Sequence, residues 1–364
     1  MEDKKIVIVV DARMINSSGI GTVIRNILKR MISIQNEWFF YVMGKRDELS
    51  NFSFLQSENV EIVDCQLKIF SVKELLLLHT YIPKDVDLVW SPHYNIPIFY
   101  FGRLVVTIHD VFHLAMPEYV DSWVKRLYAK IIFGLVKKKA DAIFTVSNFT
   151  RNELMRYVGV EEKRIHVIYN GVDAFWFQSQ SEFGKNTPRI TTPYILCVGN
   201  VKPHKNLKTV VSAFLKVRDV VPYDLVIVGK KDGFITGDNE VIAMANLCPE
   251  RIRFTGYVSD EELRQYYHDA SIFVFSSLYE GFGLPPLESM AAGCKKILCS
   301  NVASMPEILE NSVEWFDPRN IDELSNMLLN VENIRECDRS ILNMFSWDTS
   351  CAEMVRQIKV ALKG

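Results

Sequence analysis

The sequence predicts an α/β protein built from two doubly wound, Rossmann-like domains. Three observations carry that expectation. Short β-branched apolar runs recur along the chain, and each is followed by a helical pattern. The runs are apolar throughout, as strands of a parallel sheet covered on both faces must be. The pattern restarts after residue 190 in a chain of 364 residues, a length suited to about two domains.

Taken in order, residues 6–10, 105–108, 142–146 and 167–168 read as buried strands of the first half, and 194–198, 225–228, 272–275 and 296–299 as those of the second. Residues 177–193 are polar and strand-poor and read as the linker. An N-terminal domain at 1–176 and a C-terminal domain at 190–345 follow. Ligands in such sheets bind beyond the carboxyl ends of the strands, so both domains should aim those ends at a cleft between them.

Composition narrows the classes. Hydrophobic residues make up 48% and charged residues 24%, which excludes a long disordered chain. Lys plus Arg is 42 against 44 for Asp plus Glu, so nothing global neutralises phosphates and no nucleic-acid partner is expected. The first half carries a small positive balance and the second a small negative one. No apolar run approaches the ~20 residues of a spanning helix, and the run at 6–10 falls short of a signal-peptide core of about 7–15. Seven scattered cysteines form no Cys-x-x-Cys pair, which reads as reduced thiols in a cytoplasmic protein without a zinc site.

Four stretches carry chemistry. The strongest runs from Ser276 to Glu288, where a buried strand meets a glycine-rich turn and then a helix. Gly281 and Gly283 permit close backbone approach, and Pro285 and Pro286 suit a helix start. Amides at such a start, backed by the helix dipole, attract an anion such as a diphosphate. Glu280 and Glu288 flank the turn, and a carboxylate accepts the paired hydroxyls of a sugar or ribose.

The second stretch, Val198-Gly199-Asn200-Val201-Lys202-Pro203-His204-Lys205-Asn206-Leu207, puts positive charge at a strand's carboxyl end. A fixed lysine there stabilises negative charge left on a departing phosphate. In the third, Val105 to Asp110, a strand runs into His109, able to donate or accept near neutral pH, followed by Asp110. The fourth, Asp11 to Gly21, contains Gly19 and Gly21 after a loop too long for a dinucleotide fingerprint. A loop that admits substrate or phosphate is the expectation kept for it.

These four stretches, in this order, resemble the retaining glycosyltransferases of GT-B fold in glycosyltransferase family four. Thr145-Val146-Ser147-Asn148-Phe149-Thr150, Tyr169-Asn170-Gly171-Val172-Asp173 and Arg253-Phe254-Thr255-Gly256-Tyr257-Val258 extend the resemblance over nearly the whole chain. It implies that Glu280 lies by the donor sugar, that Glu288 holds the nucleotide ribose, and that Lys205 neutralises the donor diphosphate. The turn amides at Gly281, Phe282, Gly283 and Leu284 would contact sugar and phosphates. His109 would stand near the sugar's reacting face, and Tyr257 and Val258 would read the base through their backbone. Many relatives carry arginine where this chain has His204 or Asn200, so the second cation is either Lys202 or a protonated His204. The final helix, with residues 346–364, would cross back to the first domain.

The implied activity is transfer of a hexosyl group, from a GDP-mannose or UDP-glucose type of donor, to a glycan or lipid-linked saccharide in surface polysaccharide synthesis. No cofactor or metal is expected. Two alternatives share the motifs: a catalytically silent nucleotide-sugar-binding subunit and a GT-B epimerase. Asp85-Val86-Asp87 looks like the metal clamp of a different transferase class, but it precedes an apolar strand and reads as a cap. Residues 122–142 place Trp123, Val124, Leu127, Tyr128, Ile131, Ile132, Leu135 and Val136 on one helical face amid lysines and arginine; the first expectation is a core helix with a solvated basic end, and the alternative is a helix that contacts an anionic membrane at its inner face.

Overall fold

The computed structural model describes residues 5–120, 122–178, 190, 192–229 and 238–363. Most of the expected linker at 177–193 lies outside the described residues. The chain divides into two compact units, one of Met1–Gly171 with Phe345–Gly364 and one of Val172–Met344. The division falls ahead of residue 176 because the intervening residues pack on the second unit. The Phe175 carbonyl accepts from Arg264 Nη1 at 2.9 Å, and the Trp176 ring lies edge-on to Tyr267 at 5.7 Å.

The first unit runs β1 (Ile6–Asp11), α1 (Ser18–Ile34), β2 (Trp38–Gly44), α2 (Arg46–Leu49), β3 (Val60–Asp64), α3 (Val72–Leu77), β4 (Leu88–Ser91), β5 (Leu104–Ile108), α4 (Phe112–Ala115), α5 (Trp123–Lys139), β6 (Ala142–Thr145), α6 (Asn148–Val158) and β7 (Ile165–Val167). Among the described residues, its seven strands are parallel, in the order β3-β2-β1-β4-β5-β6-β7. One face of the sheet, with Ile8, Val10 and Phe40, is covered by Ile24, Ile27, Leu28 and Met31 of α1. Val9, Val106 and Ile108 turn to the other face, against Ala129, Ile132, Phe133 and Val136 of α5. Each fully buried Val, Leu, Ile, Phe or Met among them contributes roughly 1.5–3 kcal/mol.

The second unit runs β8 (Tyr194–Val198), α7 (Leu207–Val217), β9 (Asp224–Val228), α8 (Asn239–Ala245), β10 (Ile252–Gly256), α9 (Asp260–Asp269), β11 (Ile272–Phe275), α10 (Leu284–Ala291), β12 (Ile297–Ser300), α11 (Met305–Leu309), β13 (Glu314–Phe316) and α12 (Ile321–Leu329). Among the described residues, its six parallel strands lie in the order β10-β9-β8-β11-β12-β13. The last helix, α13 (Trp347–Lys363), belongs to the first unit, as expected. Its Trp347, Met354 and Ile358 join the core beside α1. Gly171 makes that return possible, since a Cβ there would sit 2.2 Å from the Trp347 nitrogen.

Every strand expected from the sequence is present to within two residues, save that the seventh runs 165–167 rather than 167–168. The strands β2, β3, β10 and β13 were not anticipated as such. The first is rich in aromatic residues, and the others are half-polar strands lying at or near sheet edges.

Candidate active site

In a doubly wound sheet the strand order reverses at one point, and the loops leaving the two strands there splay apart to make a ligand crevice. In the second unit this point lies between β8 and β11. The loop after β8 turns through Gly199 and a 3-10 turn, Pro203–Lys205, and Asn206 in the left-handed region (φ 53°) starts α7. The loop after β11 carries Glu280, Gly281 and Phe282 to Gly283, the N-cap of α10 at φ 96°. Glycine is required there, because a Cβ would fall 2.3 Å from the Met305 methyl and the backbone is left-handed.

The two loops are tied together. Leu278 N–H donates to the His204 carbonyl at 2.8 Å, and Ser276 Oγ to the Lys205 carbonyl at 2.8 Å. From the far side, Ser304 Oγ lies 2.9 Å from the Glu280 carbonyl and 3.0 Å from that of Phe282. Lys205 Nζ and Glu280 Oε1 thereby meet at 2.5 Å, with side chains 23% and 19% exposed, near enough to solvent for a ligand to reach both. Burial pushes the Glu280 carboxyl up, but the Lys205 ammonium, with help from Ser277 and the nearby His204, holds it below its ordinary value. The site thus presents a fixed ammonium and an ionised carboxylate side by side.

Glu288 stands in the second turn of α10, half-buried. Its carboxyl is pushed up to about 8, first by burial and then by Asp260 and Asp173. Without a ligand it is mostly neutral at pH 7. Hydroxyl donors, or any cation, would favour its ionised form.

Asn200, Lys202 and His204 share the loop after β8, all half-buried, with Lys202 at the N-cap of the 3-10 turn. Tyr257, 80% exposed, and the half-buried Val258 follow β10 directly, ahead of a capping box that Ser259 and Glu262 form on α9. Sequence reasoning missed Gly229. Three neighbouring strands run into glycine at Gly199, Gly229 and Gly256, and the first two meet so closely that a Cβ on Gly229 would fall 2.2 Å from the Gly199 carbonyl oxygen. The signal was in the sequence: two of the runs end on Val-Gly, at Val198-Gly199 and Val228-Gly229.

The first unit holds the remaining expected residues. His109 follows β5, and its Nε2 lies 2.8 Å from the Pro92 carbonyl oxygen. A carbonyl only accepts, so Nε2 carries the proton and Nδ1 keeps a lone pair. Burial lowers the ring's pKa against the opposing pull of that hydrogen bond, which keeps His109 neutral at pH 7. Asp110 Oδ1 accepts from Phe112 N–H at 2.9 Å and so shapes the turn into α4.

Gly19 and Gly21, expected to act together, do different things. Gly19 is exposed with open space around it, whereas Gly21 is buried with its Cβ direction 2.4 Å from the Ile15 carbonyl oxygen. Gly21 thus lets α1 pack on its own entry loop. Asp87 Oδ2 accepts from Val7 N–H at 2.8 Å, so instead of capping the strand it precedes, the role expected of it, it ties the start of the neighbouring β1. Among the described residues, no group of three or more His, Cys, Asp or Glu is arranged to hold a metal ion.

The amphipathic segment departs from its expected single face. α5 buries Ala129, Ile132, Phe133 and Val136 in the core, while Trp123, Val124, Leu127 and Ile131 remain 47–67% exposed. Lys125, Arg126 and Lys130 lie exposed among the latter. The helix therefore has two apolar stripes, one for the sheet and one facing outward. Among the described residues, no helix is long and apolar enough to cross a membrane.

The chain is similar to known proteins over most of its length. The chain matches the family described as Glycosyltransferase Family 4 over residues 18–174, and that of Glycosyl transferases group 1 over residues 178–342. It is 30% identical over 256 residues to the O-antigen chain mannosyltransferase B of Escherichia coli, a match covering 65% of this chain and 64% of that protein. It is 26% identical to the O-antigen chain mannosyltransferase RfbU of Salmonella typhimurium, covering 68% of this chain and 65% of that protein. The match thus spans just under two thirds of the length of these curated relatives.

Among solved structures, a sucrose-phosphate synthase from Thermosynechococcus elongatus shares the fold with a TM-score of 0.75 at 18% identity, over 98% of this chain and all of that one (100%). HepE of Anabaena, in complex with UDP and glucose, does so with a TM-score of 0.70 at 16% identity, over 98% and 100% of the two chains. Two doubly wound parallel sheets, the Glu280–Glu288 corner and these matches lead to one conclusion: the chain belongs to the GT-B glycosyltransferases of family four.

Proposed function

We propose that the protein transfers a hexosyl residue from a nucleoside diphosphate sugar to a hydroxyl of a glycan or lipid-linked saccharide, with retention of anomeric configuration, in surface polysaccharide synthesis. The Lys205–Glu280 pair at the strand-order reversal carries this reading. As the bond from C1 to the phosphate oxygen breaks, negative charge collects on the diphosphate, where Lys205 and the amides of residues 281–284 would receive it. The acceptor oxygen bonds to C1 on the same face, and its proton passes to the leaving phosphate oxygen.

In this reading Glu280 orients the sugar, Glu288 accepts the ribose hydroxyls, and Tyr257 and Val258 meet the base through their backbone. His204, whose charge bears on Glu280, and Lys202 are the sources of a second cation on the diphosphate. His109, with a lone pair at Nδ1, attends the reacting sugar and Gly19 admits the acceptor or a phosphate. No metal enters this scheme, so activity should survive a chelator. The curated relatives named as mannosyltransferases favour GDP-mannose as donor, with UDP-glucose second, as the HepE complexes suggest.

The deciding experiment is a transfer assay over a panel of nucleotide sugars with saccharide and lipid-linked acceptors. Transfer with retention supports the reading. Donor binding without transfer or hydrolysis would indicate a silent subunit, and donor interconversion without acceptor an epimerase.

The exposed stripe of α5 supports a peripheral contact with the inner membrane face, as a lipid-linked acceptor would require. An apolar stripe containing Trp123 and bordered by cations suits an anionic bilayer. Vesicles containing phosphatidylglycerol should carry the protein in flotation, and L127D/I131D should not float. Wild-type protein that stays unbound at low salt would retire the membrane contact.

A further inference from the structure

The first sheet also has a strand-order reversal, between β1 and β4, and there the crevice is filled by charge. Asp11 ends β1, and Arg13 Nη2 lies 2.6 Å from Asp11 Oδ2 and 2.8 Å from Glu74 Oε1, with all three side chains no more than 3% exposed. Glu74 Oε2 accepts from Phe70 N–H at 2.6 Å and Asn95 Nδ2 at 3.1 Å. His93, in the loop after β4 and 4% exposed at its side chain, holds Nε2 3.3 Å from Asp11 Oδ2. Apolar residues of similar volume often stabilise a fold as well as buried ion pairs do, so stability alone does not account for this cluster.

Hydrogen-bond polarity suggests its use. His93 Nδ1 accepts from Asn95 N–H at 3.1 Å, so that nitrogen bears no proton and the N–H is on Nε2, which stands beside the Asp11 carboxylate at 3.3 Å without a formed hydrogen bond and is attracted to it through charge. Ser91 Oγ lies 2.9 Å from both the His93 and Asn95 carbonyl oxygens. The loop 91–95 is thereby held at its side chains and its backbone. The carbonyl of Pro92, immediately before His93, is the one that receives His109 Nε2 at 2.8 Å.

We infer that Asp11, acting through His93, is a positioning residue for His109: it anchors the loop whose Pro92 carbonyl fixes the His109 tautomer and leaves Nδ1 as the acceptor. Asp11 touches no reacting atom in this scheme. Arg13, itself held by Glu74, keeps Asp11 ionised and aimed, and the Thr150 hydroxyl, donating to the His109 carbonyl at 3.2 Å, holds the backbone on the other side. The inference rests on the reading of His109 as a residue of the transfer site, and its test separates the two.

The full chain, labelled with 15N-histidine, gives the His109 tautomer directly, with its signals assigned by their loss in H109Q. Wild type should show the Nε2–H form. D11N and H93A should show mixed tautomers, with kcat reduced about 10- to 100-fold and donor KM changed less than about twofold. H93Q, whose amide nitrogen reaches the place of Nε2, should recover much of both properties. Should D11N fail to fold, H93A and H93Q decide. A His109 that keeps its Nε2–H form in folded D11N and H93A overturns the inference. Mixed tautomers with undiminished kcat would uphold the positioning and remove His109 from the reaction.

Discussion

Replacing Glu288 with glutamine should stabilise the protein and impair its binding of donor, and the stabilisation should depend on pH. The Glu288 carboxyl is raised from 4.5 to about 8 in the fold, chiefly by burial and then by Asp260 and Asp173. A group whose folded pKa exceeds its unfolded value favours the fold below the unfolded pKa, and that contribution is lost as pH rises through the folded one. Wild type should therefore lose stability between about pH 4.5 and 8, and E288Q, which cannot ionise, should not share that loss. At about 1.4 kcal/mol per unit, less some solvent screening of a half-buried group, the gain at pH 8 is on the order of 2–3 kcal/mol. For a unit of this size that is a rise in Tm of roughly 4–10 °C.

Thermal melts of both proteins at pH 5 and pH 8 would read the effect, with a small difference at pH 5 and a large one at pH 8. Titration with a nucleoside diphosphate should show weaker binding by E288Q, since an amide cannot accept both ribose hydroxyls as a carboxylate does. Equal shifts at the two pH values, or a less stable E288Q at pH 8, would show that burial and like charge do not govern the Glu288 carboxyl.

Three further outcomes follow from the same geometry. E280A should fold normally and lose about 10²–10³-fold in kcat, measured as transfer at saturating donor; a smaller loss would remove Glu280 from the reacting region. Because burial lowers the His109 pKa from 6.5, kcat should stay level down to about pH 6.5 and fall only below it, and H109Q should lack that limb. G229A should lower Tm and weaken donor binding together, because its Cβ would meet the Gly199 carbonyl oxygen at 2.2 Å; a variant with wild-type melting would show the edge to be less tightly closed.

The central strands and the corner between Glu280 and Glu288 were legible because their signals are local. Apolar runs such as Val105–Val106–Thr107–Ile108 occupy consecutive positions, and a carboxylate on each side of Gly-Phe-Gly-Leu-Pro is visible within one window. The strand β3 was not, because Val60-Glu61-Ile62-Val63-Asp64 alternates as a half-exposed edge does and a search for unbroken apolar runs passes over it. The Asp11–Arg13–Glu74–His93 cluster was not legible either. Its members lie up to 82 positions apart, and only the order of strands brings them together.

Gly21 shows a different failure: glycine spacing suggested a ligand loop, while close packing of backbone on Ile15 is what excludes a side chain. In α5, helical periodicity found the apolar residues but not their division. Which stripe faces the sheet depends on where the helix docks, and that is a tertiary property.

A crystal structure determined with a nucleoside diphosphate sugar soaked at saturating concentration tests most directly whether the second unit grips the donor at its strand-order reversal. The diphosphate should lie at the reversal between β8 and β11, with a phosphate oxygen about 3 Å from Lys205 Nζ and the ribose on Glu288. A compound bound elsewhere, with the Lys205–Glu280 pair undisturbed, would contradict that placement.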